Sequence, residues 1–221
     1  MVTLAIDRSI VSIFGGSTHA ASPAQPPPTE AEVEQRAIKA VLAGNRDAFQ
    51  ALVDAHSSRV YGLALRMLGN EREAEDAAQD AFLHAFARLG SYKPEWRFKT
   101  WIMTITSNLC IDKLRRRRLE PANFADMTTD TTPDGEVDFT SHEPQPDAVM
   151  VKHQRDAALR AMLAELPDED RSMVAMFYFN DMRYDEIAGA MRTTVSAVKS
   201  RLFRARQKMA QSKWAAGLKN S

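Results

Sequence analysis

Apolar residues recur at intervals of three and four along most of this chain, and no stretch of useful length alternates as a strand would. Ile38, Val41 and Leu42 open the pattern, Phe49, Leu52 and Val53 continue it, and Val60, Leu63, Ala64 and Met67 follow. Such spacing lines one face of an α-helix, whereas a half-buried strand needs a period of two. Gly44-Asn45 and Gly69-Asn70 punctuate the run where reversals are expected. The next helix is expected from about Glu71 through Ala74, Ala77, Ala78, Ala81, Phe82 and Ala85 to Leu89, with acids in its first turn and Gly90 as its stop. Another is expected from about Lys99 to Arg118. The fold class that follows is all-α.

Composition divides this helical chain into parts. Residues 15–29, with Pro23, Pro26, Pro27 and Pro28, are small, polar and proline-rich, so residues 1–30 are expected to form a disordered arm. Residues 31–118 form a first helical domain. Residues 119–150 carry Pro121, Pro133, Pro144 and Pro146 with few large apolar residues, and are expected to be a flexible linker. A second small helical domain is expected over 151–215, with Leu159, Met162, Leu163 and Leu166 on one face. Pro167-Asp168-Glu169-Asp170 opens its next helix, since proline and acids suit a first turn.

The formal net charge is zero, but its distribution is not uniform. Glu120, Asp126, Asp130, Asp134, Glu136, Asp138, Glu143 and Asp147 fall within 119–150, which has no Lys or Arg. Arg192, Lys199, Arg201, Arg204, Arg206, Lys208, Lys213 and Lys219 fall within 191–221, which has no Asp or Glu. A basic block from Lys113 to Arg118 directly precedes the acidic stretch. Segregation of this kind implies separate surfaces with separate partners. The single cysteine, Cys110, excludes an internal disulfide and a cysteine-based zinc site. No segment approaches the roughly 20 apolar residues of a membrane span, and Ile10 to Phe14 is too short for a secretory signal. A cytoplasmic location without membrane insertion is the expectation.

The most specific local signal lies at 184–209. Tyr184 to Met191 forms a short helix with Ile187, Ala188 and Met191 inward, Arg192-Thr193-Thr194 forms a turn, and Val195, Val198, Leu202, Ala205 and Met209 mark a longer helix. Scaffold helix, tight turn and recognition helix make a helix-turn-helix. The outward face of the second helix carries Ser196, Lys199, Ser200, Phe203, Arg204 and Gln207, with Thr194 at its start. Lys199, Ser200, Phe203 and Arg204 can reach base edges and thymine methyls, while Arg201, Arg206 and Lys208 suit phosphates. Taken alone, this motif supports DNA binding and nothing narrower.

The first domain narrows it. Asp76, Gln79 and Asp80 share one helical face, opposite buried alanines and Phe82; by itself this fits an ordinary solvated surface. Beyond it Tyr92, Trp96, Phe98 and Trp101 cluster around a loop, followed by Asn108 and the run Arg115 to Arg118. Phe98 and Trp101 are expected in the core. Tyr92, Trp96 and Asn108 are candidates for contact with single-stranded DNA, which needs a stacking platform, an edge reader and phosphate charge.

At this point the chain resembles the extracytoplasmic-function (ECF) sigma factors, the sigma-70 family reduced to regions two and four. The resemblance covers about residues 35–118 and 150–212. It rests on Asp76-Ala-Ala-Gln79-Asp80-Ala-Phe82, Phe98-Lys-Thr-Trp101-Ile102 and Asn108-Leu-Cys-Ile-Asp112-Lys-Leu-Arg115-Arg116. It rests also on Leu166-Pro167, Tyr184-Asp-Glu-Ile-Ala188 and Val198-Lys199-Ser200-Arg201-Leu-Phe-Arg-Ala205-Arg206. The resemblance implies that Asp76, Gln79 and Asp80 grip the clamp helices of the largest subunit of core RNA polymerase. It implies that the loop from Tyr92 through Lys93 and Trp96 to Arg97 captures a flipped-out base of the minus-ten element, with Asn108 beside it and Asp112, Arg115 and Arg116 following. Flipping costs a few kcal/mol of unstacking, which pocket contacts recover. Lys199, Ser200, Phe203 and Arg204 would read the minus-thirty-five element as duplex. The acidic linker would thread the polymerase's nucleic-acid channel, and an anti-sigma factor would hold the chain inactive. Arg183 stands where relatives often carry a small residue capping the scaffold helix.

Two other classes of protein make different demands on the sequence. A one-component regulator would use residues 30–118 as a sensor, with a ligand pocket and no affinity for polymerase. An enzyme would need a site constellation, but His19, His56, His84, His142 and His153 lack ligand spacing and no glycine-rich phosphate loop occurs. Neither catalysis nor a cofactor or metal is expected.

Overall fold

The computed structural model describes residues 29–119 and 146–214, the side chains of 146–154 excepted. The expected N-terminal arm and most of the expected linker lie outside the described residues. Among those described, the regular elements are all helical, as the periodicity predicts: α1 (Glu30–Leu42), α2 (Gln50–Leu68), α3 (Glu71–Ala87), α4 (Phe98–Leu119), α5 (Pro146–Ala164), α6 (Asp168–Phe179), α7 (Tyr184–Ala190) and α8 (Val195–Gln211). α5 begins at Pro146, within the stretch expected to be linker. Proline suits a first helical turn, where its missing N–H has no intrahelical partner to serve.

Local chemistry sets the boundaries. Thr29 and Glu32 form a reciprocal capping box at the start of α1: Glu32 accepts from the Thr29 N–H at 2.9 Å and Thr29 Oγ1 accepts from the Glu32 N–H at 3.4 Å. α2 stops at Gly69, whose φ of 74° is left-handed, and Asn70 at once caps α3 by accepting from the Glu73 N–H at 2.9 Å. This tight connection turns α3 back against α2. Ala74, Ala77, Ala81 and Ala85 form its fully buried stripe, and side chains this small let α3 lie close to both α2 and α4. Leu52, Leu63 and Met67 of α2 and Phe98, Ile102 and Met103 of α4 fill the space between them. Cys110 is buried in the same core, and burial pushes its thiol up to about 12.

The second helical unit does not stand apart. α6 packs on α2 and α4, α7 packs on α4, and α8 closes over α6 and α7, so one core runs through both units. Polar side chains also meet across the seam. Ser107 Oγ and Ser172 Oγ, both fully buried, lie 2.5 Å apart. Thr100 Oγ1 donates to Glu186 Oε1 at 3.0 Å. The Arg66 guanidinium lies 4.1 Å from the Phe179 ring centroid, and Arg118 pairs with Asp168.

Arg171 is the most heavily engaged side chain at the seam. Its guanidinium donates to the carbonyls of Leu163 (2.9 Å) and Ala164 (3.0 Å) in the last turn of α5 and of Leu166 (3.3 Å) just beyond it, and across the seam to that of Met67 (2.7 Å). These carbonyls lie where helices run out of internal donors, so one buried cation satisfies the ends of α5 and α2 together. Burial, with Arg118 and Arg117 nearby, lowers the Arg171 pKa from its ordinary value, but a guanidinium starts so high that it stays charged. Replacing Arg171 with Met should lower the unfolding free energy by about 3 kcal/mol, because buried acceptors are left without donors. Arg171→Lys should recover only part of that in urea denaturation, having no fork to reach several carbonyls at once.

Candidate nucleic-acid and polymerase interface

Three surfaces gather the residues singled out by sequence. The first is the outer face of α3, where Asp76 and Gln79 are exposed and Asp80 is half-buried. The alanine stripe opposite fixes which way this face points. Asp80 Oδ2 lies 3.5 Å from Lys113 Nζ of α4, a contact loose enough to be exchanged for another cation. Leu83 sits one turn on from Gln79 and is 66% exposed, so the face combines carboxylates, an amide and a bare leucine. Sequence reasoning missed Leu83, although its position off the alanine stripe was the available signal.

The second surface is the loop between α3 and α4. Tyr92, expected to contact DNA, is instead buried here, with its ring against Phe98 and Trp101 at centroid distances of 5.8 and 5.3 Å. Its hydroxyl donates to the Trp96 carbonyl at 2.6 Å. The Trp96 N–H in turn donates to the Lys93 carbonyl at 3.1 Å, closing a turn around Pro94-Glu95. Tyr92 is therefore a strut inside the loop, and a buried phenol needs such a partner for its O–H. Lys93, Trp96 and Arg97 project outward. Phe98 is fully buried and Trp101 is partly buried against the core, as expected.

The loop leads into α4, where Asn108 is exposed and Asp112 lies one turn on, accepting from Arg115 at 3.0 Å. The basic run is divided in its engagements. Arg117 pairs with Glu73 and Arg118 with Asp168, while Arg116 is exposed with no ion pair among the described residues. Spacing alone could not distinguish these four arginines.

The third surface is the helix-turn-helix of α7 and α8. Arg192 takes a left-handed φ of 51° in the turn, and Thr194 caps α8 by accepting from the Ala197 N–H at 3.1 Å. At α7, the Glu186 carboxylate accepts from the Arg183 N–H at 2.8 Å. That supplies half of a capping box; the other half is missing because a guanidinium has no acceptor. Val198, Leu202 and Ala205 face inward. Ser196, Lys199, Ser200, Phe203, Arg204 and Gln207 are exposed together along α8, with Phe203 53% exposed. Lys199 Nζ hovers 5.4 Å from the Tyr184 ring centroid.

Two cations expected at phosphates are otherwise engaged. Arg201 binds Glu169 at 2.8 Å and Asp170 at 2.5 Å. Hydrogen bonds to these two acids raise its pKa despite the opposing effect of burial. Lys208 Nζ donates to the Glu165 carbonyl at 2.5 Å. Both pin α8 to the helices behind it, which aims the recognition face. Among the described residues no group of His, Cys, Asp and Glu could hold a metal ion, and no helix is long and apolar enough to cross a membrane.

A helical unit with a carboxylate-amide face and an aromatic loop, followed by a helix-turn-helix, defines the class of the sigma-70 transcription factors. Residues 52–120 match sigma-70 region 2, and residues 156–209 match sigma-70 region 4. The chain is 31% identical to the ECF RNA polymerase sigma factor SigW of Bacillus subtilis, over 78% of this chain and 92% of that one. It is 29% identical to the RNA polymerase sigma-H factor of Pseudomonas aeruginosa, over 80% and 91%. Its fold is like that of CnrH, solved in complex with the cytosolic domain of CnrY, with a TM-score of 0.60 at 22% identity over 86% of this chain and 99% of that one. It is also like the sigma factor RpoE of Bartonella quintana, solved with the anti-sigma factor NepR, with a TM-score of 0.58 at 19% identity over 78% and 98%. The chain belongs to the ECF sigma factors of the sigma-70 family.

The cap on α8 generates a direct test. Thr194→Ala should destabilise the protein by about 1 kcal/mol in thermal or urea unfolding, while Thr194→Asp should retain most of the stability.

Proposed function

We propose that this sigma factor binds core RNA polymerase through the outer face of α3, reads the minus-thirty-five element with α8, and captures a base of the minus-ten element with the loop before α4. The observation that carries the proposal is the order of surfaces along one chain: the Asp76/Gln79/Asp80 face, the Lys93–Arg97 loop on its Tyr92 strut, and the exposed row on α8. Asp76, Asp80 and Leu83 suit a partner helix that offers both cations and apolar side chains.

In the loop, Trp96 supplies a stacking surface and Lys93 and Arg97 supply phosphate charge. Asn108 lies on the same path as an edge reader, and Arg116 continues it. On α8, Lys199 and Arg204 supply donors for base edges, Phe203 suits a thymine methyl, and Ser196, Ser200 and Gln207 complete the face. Promoter melting is then coupled to capture, because an extruded base is held only where the loop can receive it. The relative solved with an anti-sigma factor supports a protein inhibitor as a further partner.

Run-off transcription with core polymerase on a promoter library tests the whole reading. Core polymerase should retain the chain in a pull-down, and Asp80→Lys should abolish that retention. Failure of the unaltered chain to bind core polymerase would overturn the proposal. Arg204→Ala should weaken binding to a minus-thirty-five duplex about tenfold or more by fluorescence anisotropy, in line with about 1–3 kcal/mol for a good base contact. Core binding by the same variant should be unchanged.

A further inference from the structure

We propose that Tyr184 is a positioning residue for reading the minus-thirty-five element: its ring, seated on Phe177, holds the ammonium group of Lys199 in place on the recognition helix. The proposal rests on the reading of α8 given above and adds to it a residue from the scaffold helix. An unsupported lysine is a poor reader, because its four-carbon stem samples many rotamers and fixing them on binding opposes affinity. Here the Lys199 Nζ lies 5.4 Å from the centroid of the Tyr184 ring, within reach of a cation–π attraction. The acids of α7 are engaged with other groups, Asp185 with Arg183 at 2.8 Å and Glu186 with Thr100 at 3.0 Å and the Arg183 N–H at 2.8 Å. The ring is therefore the partner that α7 offers to this cation.

The ring is itself held from behind. It stacks on Phe177 with centroids 4.9 Å apart and planes inclined at 17°. Phe177 is partly buried against the core and meets Tyr178 edge-on at 4.9 Å. The turn between α6 and α7 sets this overlap. Buried Asn180 donates through Nδ2 to the Ala175 carbonyl at 3.1 Å, Asp181 takes a left-handed φ of 48°, and the Met182 N–H donates to the Met176 carbonyl at 3.2 Å. The start of α7 is thereby folded back over the end of α6. Tyr184 opens α7, and Lys199 lies in the second turn of α8, so the contact bridges the two helices of the helix-turn-helix. An ammonium group has three N–H donors. With one turned to the ring, the others remain for acceptors such as the N7 and O6 of a guanine.

The test is a double-mutant cycle in the full chain, read by fluorescence anisotropy on a minus-thirty-five duplex that the unaltered chain selects from a randomised pool. Tyr184→Leu should weaken binding to that duplex about three- to fivefold, as expected of a surface cation–π contact, and leave binding to a scrambled duplex unchanged. Tyr184→Phe keeps the ring and its stack, and should stay within about twofold of the unaltered chain. In a Lys199→Ala background, Tyr184→Leu should cost nothing further. An equal loss in both backgrounds would overturn the inference, since Tyr184 would then act on the fold or on DNA without Lys199. A Tyr184→Phe variant as weak as Tyr184→Leu would also overturn it, by assigning the effect to the hydroxyl. Tyr184→Met, a good helix former, takes the place of Tyr184→Leu in the cycle if that variant loses helicity. If Lys199→Ala alone binds the selected duplex as tightly as the unaltered chain, Lys199 is not a reader, and the inference falls together with that part of the α8 reading. Additivity in the cycle removes the positioning role and leaves the α8 reading standing.

Discussion

One buried cation organises the join between the two halves of this protein. Arg171 sits at the start of α6 with carbonyls from the end of α5 on one side and the Met67 carbonyl of α2 on the other. Helix ends are rich in unsatisfied acceptors, and a planar guanidinium with its several donors is the side chain best shaped to serve more than one at once. Asp168, 3.8 Å away and itself paired with Arg118, offsets part of the buried charge. Around this point the Ser107–Ser172 and Thr100–Glu186 contacts fall into line, and the angle of α6 then determines where α8 lies. The direction of the recognition face therefore follows from how a few orphan carbonyls are satisfied some distance behind it.

Much of the fold was legible because its determinants are local. The alanine stripe of α3, the Gly69-Asn70 turn and the Thr194 cap each act within a few residues, so spacing and residue type were enough to place them. The helix-turn-helix was legible for the same reason, its inward row of Val198, Leu202 and Ala205 being fixed by helical period alone. What escaped was non-local. Ser107 and Ser172 look like solvated helix positions until two helices from distant parts of the chain meet there. Arg201 and Lys208 look like phosphate contacts until Glu169, Asp170 and the Glu165 carbonyl are placed beside them. Tyr92 looks like a stacking ring until Phe98 and Trp101 enclose it, and its hydroxyl then matters more than its face.

These departures share a pattern. Charged and aromatic residues near a nucleic-acid surface divide into those that touch the ligand and those that hold the first kind in position, and composition cannot separate the two. Here the separation follows reach. Residues whose side chains find partners on a neighbouring helix (Arg117, Arg118, Arg201, Lys208) brace the scaffold. Those left without such partners among the described residues (Lys93, Arg97, Arg116, Arg204) are available to a polyanion. The bracing set explains how a short second unit can present a long helix at a defined angle.

The lone thiol has a consequence for signalling. Oxidation and disulfide exchange begin from an accessible thiolate, and Cys110 offers neither accessibility nor ready ionisation at physiological pH. The one thiol of the folded protein is therefore closed to disulfide exchange with molecules in solution. A thiol-directed stimulus that changes its activity would have to unfold α4 first or act through another molecule.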